Sequence, residues 1–394
     1  MICVKPLQLS LNRILLLTIG LWPFERSKFT RLPMIVSYSV LITSIVFPFA
    51  KFATPKCTSQ CIIEVCSVAF FFISFPIKYY AFWSNMGTVK LALKIIQSTY
   101  DELTDDSEIA IIKKYGTMAK RYTYVLTLLV TNSMFVFILL PFWPRILDVV
   151  WPANESRPHL PLQITMEYFL DQERYFYLFV LHANVIFCVG ETTLLATGTI
   201  IIAYVQYTCG MFRVASYRME QVMIGTLKRS DTEYKSLIYK RLVYAIDMHR
   251  KATKFLKLIL SKFEIFFFIL LITIIITLSL NLYRVFYELS TGYNIEKLLI
   301  SFIFLSSHYV YMFISNLNAQ QIIDHNEHVF ATVYNIQWYT APLHIQKMIL
   351  FLLQRGTKAF YITIAGLFAG SLEGFTMLTS MSISYFTFVY STSR

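Results

Sequence analysis

Seven long apolar segments run through this chain of 394 residues. They fall at residues 33–53, 62–83, 122–147, 175–207, 263–283, 298–317 and 359–390. A transmembrane helix needs about 20 mostly apolar residues, so each segment has the length to cross a bilayer. Inside lipid the backbone must bond to itself, and a helix achieves this within one segment. The sequence therefore predicts an all-α membrane protein with seven transmembrane helices.

The composition indicates the same class. Hydrophobic residues make up 56% of the chain and charged residues only 15%, a balance that a soluble domain of this size does not need. A net charge of +12 is compatible with a nucleic-acid partner. However, the basic residues lie between the apolar segments, which indicates membrane topology, so we expect a lipid environment and no nucleic acid.

The distribution of basic residues predicts the orientation. Most of the 35 Lys and Arg residues lie in the N-terminal segment and in the second, fourth and sixth loops. Because Lys and Arg accumulate in cytoplasmic loops, we place the N-terminus in the cytoplasm. With an odd number of spans, the C-terminus is then extracellular. The third loop, residues 148–174, becomes an extracellular lid with a glycosylation sequon at Asn154, or else an inert connector.

The sequence carries no motif for enzyme or metal chemistry. The six cysteines have no zinc-ligand spacing, and there is no phosphate-binding glycine loop or nucleophile motif. A disulfide between Cys57 and Cys61 is one alternative, but we expect free thiols. The sequence thus predicts no catalytic residues, no metal site and no cofactor.

The last apolar segment has a polar face. Wound as a helix, it aligns one carboxylate and five hydroxyls along one side: Glu373, Thr376, Ser380, Ser384, Thr387 and Ser391. Polar groups are costly against hydrocarbon, so this face meets protein or water. The pattern leaves a pore-lining helix and an interhelical hydrogen-bonding face as alternatives. Gly366, Gly370 and Gly374 form a flank where another backbone can approach closely.

Several short motifs, in order along the chain, carry a resemblance to a known family. They include Gln321-Ile322-Ile323-Asp324, Tyr334, Trp338-Tyr339, Gly366, Ser371-Leu372-Glu373, Phe375, Tyr385-Phe386 and, earlier, Gln206 and Cys209-Gly210-Met211-Phe212. In these motifs and in its inverted topology the chain resembles the insect odorant receptors. The stretch Gly20-Leu21-Trp22-Pro23-Phe24 is similar to the opening of receptors from wasps, ants and bees.

The resemblance implies a ligand-gated, non-selective cation channel in the plasma membrane, in the dendrite of an olfactory sensory neuron. Family members form tetramers with an odorant receptor co-receptor, and the final helix of each subunit lines the pore. By this analogy residues 1–32 are a cytoplasmic segment, 33–317 a ligand-binding bundle, 318–358 a cytoplasmic anchor and 359–394 the pore helix and extracellular tail. A gustatory-type channel or a G-protein-coupled heptahelical receptor is the alternative.

The resemblance also implies roles for individual residues. The anchor positions are Asp324, Tyr334, Trp338 and Tyr339, and the pore positions are the polar face with an apolar gate at Phe388 and Thr392. Glu373 on that face is expected to attract cations, or to make a structural hydrogen bond to a neighbouring helix.

The ligand implied is a small volatile molecule that gains affinity by leaving water for an apolar pocket. The family's pocket lies in the outer halves of the second, third, fourth and sixth spans. The candidates there are Phe71, Phe72, Phe75, Met134, Phe135, Ile138, Tyr177, His182, Ile186, Ser306 and Tyr309. We expect that the adjacent Phe71 and Phe72 do not both face one pocket. His182 hydrogen-bonds either a ligand or a neighbouring helix, and Glu191 is expected to have a buried polar partner.

Overall fold

The structure is a computed structural model that describes residues 9–24, 28–54, 59–142, 166–171, 174–224, 231–291, 295–357 and 360–392. The described helices are α1 Ser10–Thr18, α2 Lys28–Ala50, α3 Ser59–Ser84, α4 Met86–Asp101, α5 Asp106–Leu139, α6 Phe176–Glu220, α7 Asp231–Thr291, α8 Ile295–Asn335, α9 Leu343–Gly356 and α10 Leu372–Thr392. Short 3-10 turns cover Lys51–Ala53, Leu140–Phe142 and Trp338–Thr340, and one hairpin joins β1 Thr363–Ile364 to β2 Phe368–Ala369. The predicted helical membrane fold is confirmed.

Six helices of the described chain, α2, α3, α5, α6, α7 and α8, are long and apolar enough to cross a membrane. The last helix, α10, is absent from that set because its polar face lowers its hydropathy. Its 21 residues nevertheless extend about 32 Å at 1.5 Å per residue, close to the ~30 Å hydrocarbon core of a bilayer. Length and composition therefore support six spans, and length alone supports a seventh.

Three helices continue far beyond the predicted spans. α7 has 61 residues and α6 has 45, so much of the basic stretch predicted as the fourth loop is helical. Hydropathy detects only the part of a helix that lies in lipid, whereas an amphipathic extension into water needs one apolar face. The extensions of α6, α7 and α8 pack with α9 around a separate core that includes Val222, Leu242, Val333, Ile345 and Ile349.

The predicted helix over residues 359–390 is wrong at its start. The chain forms a hairpin first, with Thr363 opposite Ala369 and Ile364 opposite Phe368, and the helix begins at Leu372. Ala365 and Gly366 both have positive φ, 52° and 66°, as a tight type I′ turn requires. Of the three glycines predicted to flank a helix, only Gly374 lies in α10.

α6 forms the centre of the bundle, because it packs against α1, α2, α3, α5, α7 and α8. α10 lies at the periphery, on α7 and α8. Among the described cysteines, Cys66, Cys188 and Cys209 are free, whereas Cys61 is disulfide-bonded. The expectation of free thiols is therefore wrong for Cys61, and Cys57 lies outside the described residues.

A buried ion pair ties three helices together at one end of the bundle. Arg218 of α6 donates from Nε and Nη2 to the two carboxylate oxygens of Glu108 on α5, at 2.6 and 2.8 Å. Both side chains are almost fully buried, with 6% and 5% exposure. The guanidinium also lies 3.5 Å from the ring centre of Tyr244 on α7. Such a two-bond geometry holds both partners in fixed orientation.

Replacing Glu108 with Ala is expected to cost about 3–5 kcal/mol, because it leaves the Arg218 charge buried without its partner. The matched control is Glu102→Ala, which breaks an exposed pair with Lys251 at 2.7 Å and is expected to cost less than about 1 kcal/mol. The measurement is thermal unfolding of the purified protein in detergent. Equal shifts in melting temperature for the two variants would contradict the structural role of the buried pair.

Candidate ligand-binding site

Aromatic rings from four helices meet in the half of the bundle where α3, α6 and α8 begin. Phe71 stacks on Phe304 at 3.8 Å between ring centres, and Phe137 stacks on Phe187 at the same distance. The other rings of this aromatic cluster are Phe72 and Phe75. All six are buried. Phe71 and Phe72 both belong to this cluster, and their rings contact each other edge to face.

A cavity of about 400 Å³ begins one helical turn from this cluster. Its walls come from α5, α6, α7 and α8, and its floor includes the hairpin and the first turn of α10. Most of the lining is aliphatic or aromatic, for example Leu195, Ile202, Ile259, Leu271 and Val310. An apolar cavity of this volume with few polar groups is typical of a site for a small organic ligand.

Glu191 supplies a carboxyl group to the cavity wall. The residue is 2% exposed, and its side-chain hydrogen-bond partner is the hydroxyl of Ser307 on α8. Its Oε1 atom has no partner, although it is fully buried. The expected polar partner of Glu191 therefore exists, but it satisfies only part of the carboxyl group. An unpaired polar atom at such a position is costly and is a mark of a functional site.

A buried lysine lies behind another part of the wall. The ammonium group of Lys78 on α3 donates a hydrogen bond to the hydroxyl of Tyr311, and Tyr311 lines the cavity. Nζ also lies 4.4 Å from the ring centre of Tyr311 and 5.7 Å from that of Phe267, within the range of cation–π attraction. This cation therefore fixes the orientation of a lining tyrosine.

Only some of the residues predicted to bind ligand lie at the cavity or in the core around it. Ser306 lines the cavity, Ile186 is fully buried in the main core, and Met134 is half-buried against that core. Four others lie on the outer surface of the bundle: Phe135 with 63% exposure, Tyr177 with 62%, Tyr309 with 40% and Ile138 with 36%. On α5 the inward residue is Phe137, because neighbouring helical positions differ by about 100° in direction.

His182 is engaged by protein on both ring nitrogens. Nε2 lies 3.1 Å from the hydroxyl of Thr43 on α2, and Nδ1 lies 2.8 Å from the hydroxyl of Tyr168. Of the two predicted alternatives, the structure shows satisfaction by neighbouring segments. Asn154 lies outside the described residues, so the predicted lid is described only at residues 166–171 and 174.

That described segment is attached to α2 by an ion pair. Lys51 Nζ donates to Glu167 Oε2 at 2.8 Å. Burial raises the pKa of Glu167, but the hydrogen bonds and charge of Lys51 and the backbone N–H of Phe169 outweigh burial and hold that pKa below its ordinary value. A carboxyl with a depressed pKa stabilises the attachment at neutral pH and loses this contribution as the pH falls through the lowered pKa.

The predicted pore positions share the exposed face of α10. Glu373, Thr376, Ser380, Ser384, Thr387, Phe388 and Ser391 are all exposed. The hydroxyls bond to carbonyls of their own helix, as Ser384 does to Ser380 at 2.9 Å. The opposite face, with Gly374, Leu378 and Ser382, is buried on α7 and α8. Within the described chain, this polar face does not hydrogen-bond to a neighbouring helix.

Residues of α8 hold the start of α10. Asn316 Oδ1 accepts a hydrogen bond from the backbone N–H of Ser371, and Gln320 Oε1 accepts one from Leu372, both at 3.3 Å. Ser371 itself caps the helix, because its hydroxyl oxygen accepts from the N–H of Gly374 at 2.9 Å. α8 therefore touches the cavity through Ser307 and Tyr311 and the last helix through Asn316 and Gln320.

The predicted anchor positions lie around the end of α8. Asp324, Tyr334 and Tyr339 are exposed, while Trp338 is half-buried against the separate core of α6, α7, α8 and α9. The amphipathic α9 adds Leu343 and Phe351, with 68% and 67% exposure.

The long apolar helices and the enclosed lining define the class as a helical membrane protein with an apolar cavity that carries one carboxyl group. A family model described as 7tm odorant receptor matches residues 59–383. The chain belongs to the 7tm odorant receptor family. Members of this family are receptors and not enzymes, which agrees with the sequence prediction that this chain is not an enzyme.

Individual relatives agree with this assignment. The chain is 27% identical to odorant receptor 13a of Drosophila melanogaster over 229 residues, or 55% of this chain and 52% of that protein. The matching region thus spans about half the length of that relative. The fold is similar to that of the insect olfactory receptor OR5 from Machilis hrabei, solved in complex with eugenol, with a TM-score of 0.77, 14% identity and coverage of 98% and 97% of the two chains. The structure of OR5 itself gives a TM-score of 0.75 at 15% identity, with 97% of each chain covered.

Filling the cavity is expected to weaken ligand binding. Gly198 lines it, and a Cβ atom there meets only Tyr311, at an ordinary 3.7 Å. Gly198→Leu is expected to lower the affinity for the apolar fluorescent probe N-phenyl-1-naphthylamine by about tenfold or more, roughly 1.4 kcal/mol. The control is Gly87→Leu, where a side chain meets nothing within 4 Å. Unchanged affinity in Gly198→Leu, measured by fluorescence titration of purified protein, would contradict the assignment of the cavity.

Proposed function

We propose that the chain is an odorant-binding subunit of a ligand-gated, non-selective cation channel. It assembles with odorant receptor co-receptor subunits into a heterotetramer in the plasma membrane of an olfactory sensory neuron dendrite, with its N-terminus in the cytoplasm. The observation that carries the proposal is the exposed polar face of α10. A hydroxyl face on a helix of membrane-spanning length must contact water or protein rather than lipid. Within the described chain this face of α10 points away from α7 and α8, on which the opposite face packs.

The ligand is a small, largely apolar volatile molecule that binds in the cavity beside the aromatic cluster. Its affinity comes mainly from apolar area removed from water, at roughly 25 cal/mol per Å². The wall residues are held by packing and by hydrogen bonds within the protein, so the site loses little conformational entropy when a ligand enters. The fold similarity to a receptor solved with eugenol supports a small organic ligand.

In the proposed channel, the polar faces of α10 from four subunits surround one aqueous path. Ser380 and Ser384 face water, and Glu373 near the first turn attracts cations. Phe388 lies on the same face near the far end and has 64% exposure. Rings of such apolar side chains close a pore by excluding water. The hydroxyl of Thr392 bonds back to the Phe388 carbonyl at 3.0 Å, which reduces its polarity at the gate.

Opening requires a ligand that binds one arrangement of cavity and pore more tightly than the other, because equal affinity shifts no equilibrium. α8 is the element that connects the two. A ligand that displaces Ser307 or Tyr311 also displaces Asn316 and Gln320, which hold the first turn of α10. The hairpin before α10 is tied to α7 as well, because the backbone N–H of Ala365 donates to Glu264 of that helix at 3.0 Å.

Subunit contacts are proposed at the predicted anchor. Tyr334, Tyr339, Leu343 and Phe351 each have at least 64% exposure, a density of large apolar side chains that favours an interface. The buried face of α9, with Ile345 and Ile349, fixes the helix to the same subunit. One side of α9 thus packs within its own subunit, and the opposite side is available to contact a neighbouring subunit.

Cysteine accessibility tests the pore face. In cells that express the chain with its co-receptor, Ser384→Cys is expected to make the ligand-evoked current sensitive to a cationic methanethiosulfonate reagent, because residue 384 is exposed to the aqueous path. Ser382→Cys is the matched control, since Ser382 is 2% exposed on the opposite face. The measurement is whole-cell current with G-protein signalling blocked.

Loss of the current under the G-protein block would favour a heptahelical receptor that signals through G proteins. Equal modification of the two cysteine variants would contradict a pore role for the polar face of α10.

Removing the contacts between α8 and α10 tests the coupling. The double variant Asn316→Ala and Gln320→Ala loses two hydrogen bonds to the start of α10, each contributing about 1 kcal/mol. We expect the maximal ligand-evoked current to fall about fivefold or more while probe binding in the cavity, which Asn316 also lines, falls clearly less than the current. The control is Gln97→Ala, which removes an amide that bonds within its own helix to Asp101. Parallel loss of binding and current would show that these residues support folding rather than coupling.

A further inference from the structure

The polar atoms that line the cavity differ in whether they already have a hydrogen-bond partner within the protein. Ser133 and Ser306 donate to carbonyls of their own helices, and so do Thr199 and Thr208. Tyr311 accepts from Lys78. Among the residues that the structure describes, Glu191 Oε1 is the buried side-chain atom of this lining that has no hydrogen-bond partner.

We infer that the cavity selects ligands that carry a hydrogen-bond donor, such as an alcohol or a phenol, and that Glu191 Oε1 accepts this hydrogen bond. The inference rests on the proposed function, because it assigns a ligand class to the proposed odorant cavity. It adds a specificity-determining residue to a site whose other walls are mostly apolar.

The position of Glu191 supports this assignment. It lies one helical turn beyond Phe187 of the aromatic cluster, so its carboxyl group stands where the aromatic packing ends and the cavity begins. Ser307 hydrogen-bonds the carboxyl group, and Oε1 is left without a partner in a residue that lines the cavity. A ligand with a polar head and an apolar body can therefore place its head at Glu191 and its body along Leu195 and Ile202.

The chemistry of a carboxyl group favours a donor on the ligand. A carboxylate accepts at both oxygens, and a protonated carboxyl still accepts at its carbonyl oxygen, so an acceptor is present in either state. A ligand hydroxyl satisfies this acceptor, whereas an ether or a hydrocarbon of the same shape buries it without a partner. Sites with a buried polar group discriminate strongly against analogues that lack the matching group.

The test uses three probes of similar length: octan-1-ol, which donates a hydrogen bond, and 1-methoxyheptane and octanal, which do not. Binding is measured on purified protein by displacement of N-phenyl-1-naphthylamine, and whole-cell current is recorded in parallel. Wild type, Glu191→Gln and Glu191→Leu are compared. Gln keeps an acceptor oxygen of nearly the same shape, while Leu removes a buried carboxyl and so does not threaten folding.

We expect wild type to bind octan-1-ol about tenfold more tightly than 1-methoxyheptane. Glu191→Gln is expected to retain most of this preference, and Glu191→Leu to reduce it to less than about threefold while still binding the ether. This pattern supports the inference.

Equal binding of alcohol and ether by wild type, or an alcohol preference that survives in Glu191→Leu, would overturn the inference and leave the proposed odorant site intact. A preference for octanal that disappears in Glu191→Leu would also overturn it, since the carboxyl group would then be a donor. Failure of the fluorescent probe and of all three compounds to bind overturns both the inference and the proposed ligand site.

Discussion

The bilayer interior offers no hydrogen bonds, so every polar group placed there must find its partner within the protein or in enclosed water. Many hydroxyl groups of the bundle follow this constraint. Hydroxyls of Thr197 and Thr277 bond to carbonyls one turn earlier, and the Lys78 ammonium bonds to a tyrosine hydroxyl. The hydroxyls on the polar face of α10 also bond to carbonyls of their own helix, but this face and the Glu373 carboxylate are exposed, away from α7 and α8. The proposed aqueous pore, shared by several subunits, would supply water to this face and would account for the position of the last helix at the periphery of a single chain.

α8 links the two functional regions because it is long and continuous. It runs from Ile295 to Asn335 and carries, in order, Phe304 of the aromatic cluster, cavity residues that include Ser307 and Tyr311, and the two amides that hold α10. A stiff helix transmits a displacement along its axis with little loss, whereas a loop absorbs it. The hydrogen bonds accepted by the side-chain amides of Asn316 and Gln320 are long, at 3.3 Å each. Such weak bonds suit a contact that breaks or shifts in the proposed gating. The buried ion pair of Arg218 and Glu108 has two short hydrogen bonds, as expected for a region that keeps the same structure.

Hydropathy and helical periodicity predicted the membrane class, the approximate spans and the hydroxyl face of α10, because these depend on local patterns. They did not predict which side of a uniformly apolar helix faces the interior of the bundle. α5 is apolar around its circumference near Phe135 and Phe137, so the sequence does not reveal which residue points inward. The hairpin at residues 363–369 has the apolar composition of a membrane-spanning helix. Its turn depends on the positive φ of Ala365, a conformation that few non-glycine residues adopt. Glu191 stood out in the sequence as an intramembrane carboxylate, but only the packing of α6 against α8 shows that it lines a cavity with one oxygen unpaired.

A buried acceptor without a partner destabilises the empty receptor, so its presence in the cavity calls for a physical reason. On the proposed function, that reason is differential binding. Glu191 bonds to Ser307, and Ser307 lies on the helix that holds α10, so the carboxyl group stands at the junction between ligand and gate. A ligand donor bonded to Oε1 adds a hydrogen bond beside the contact between Glu191 of α6 and Ser307 of α8. The same atom then contributes to ligand selection and to the free-energy difference that opens the pore.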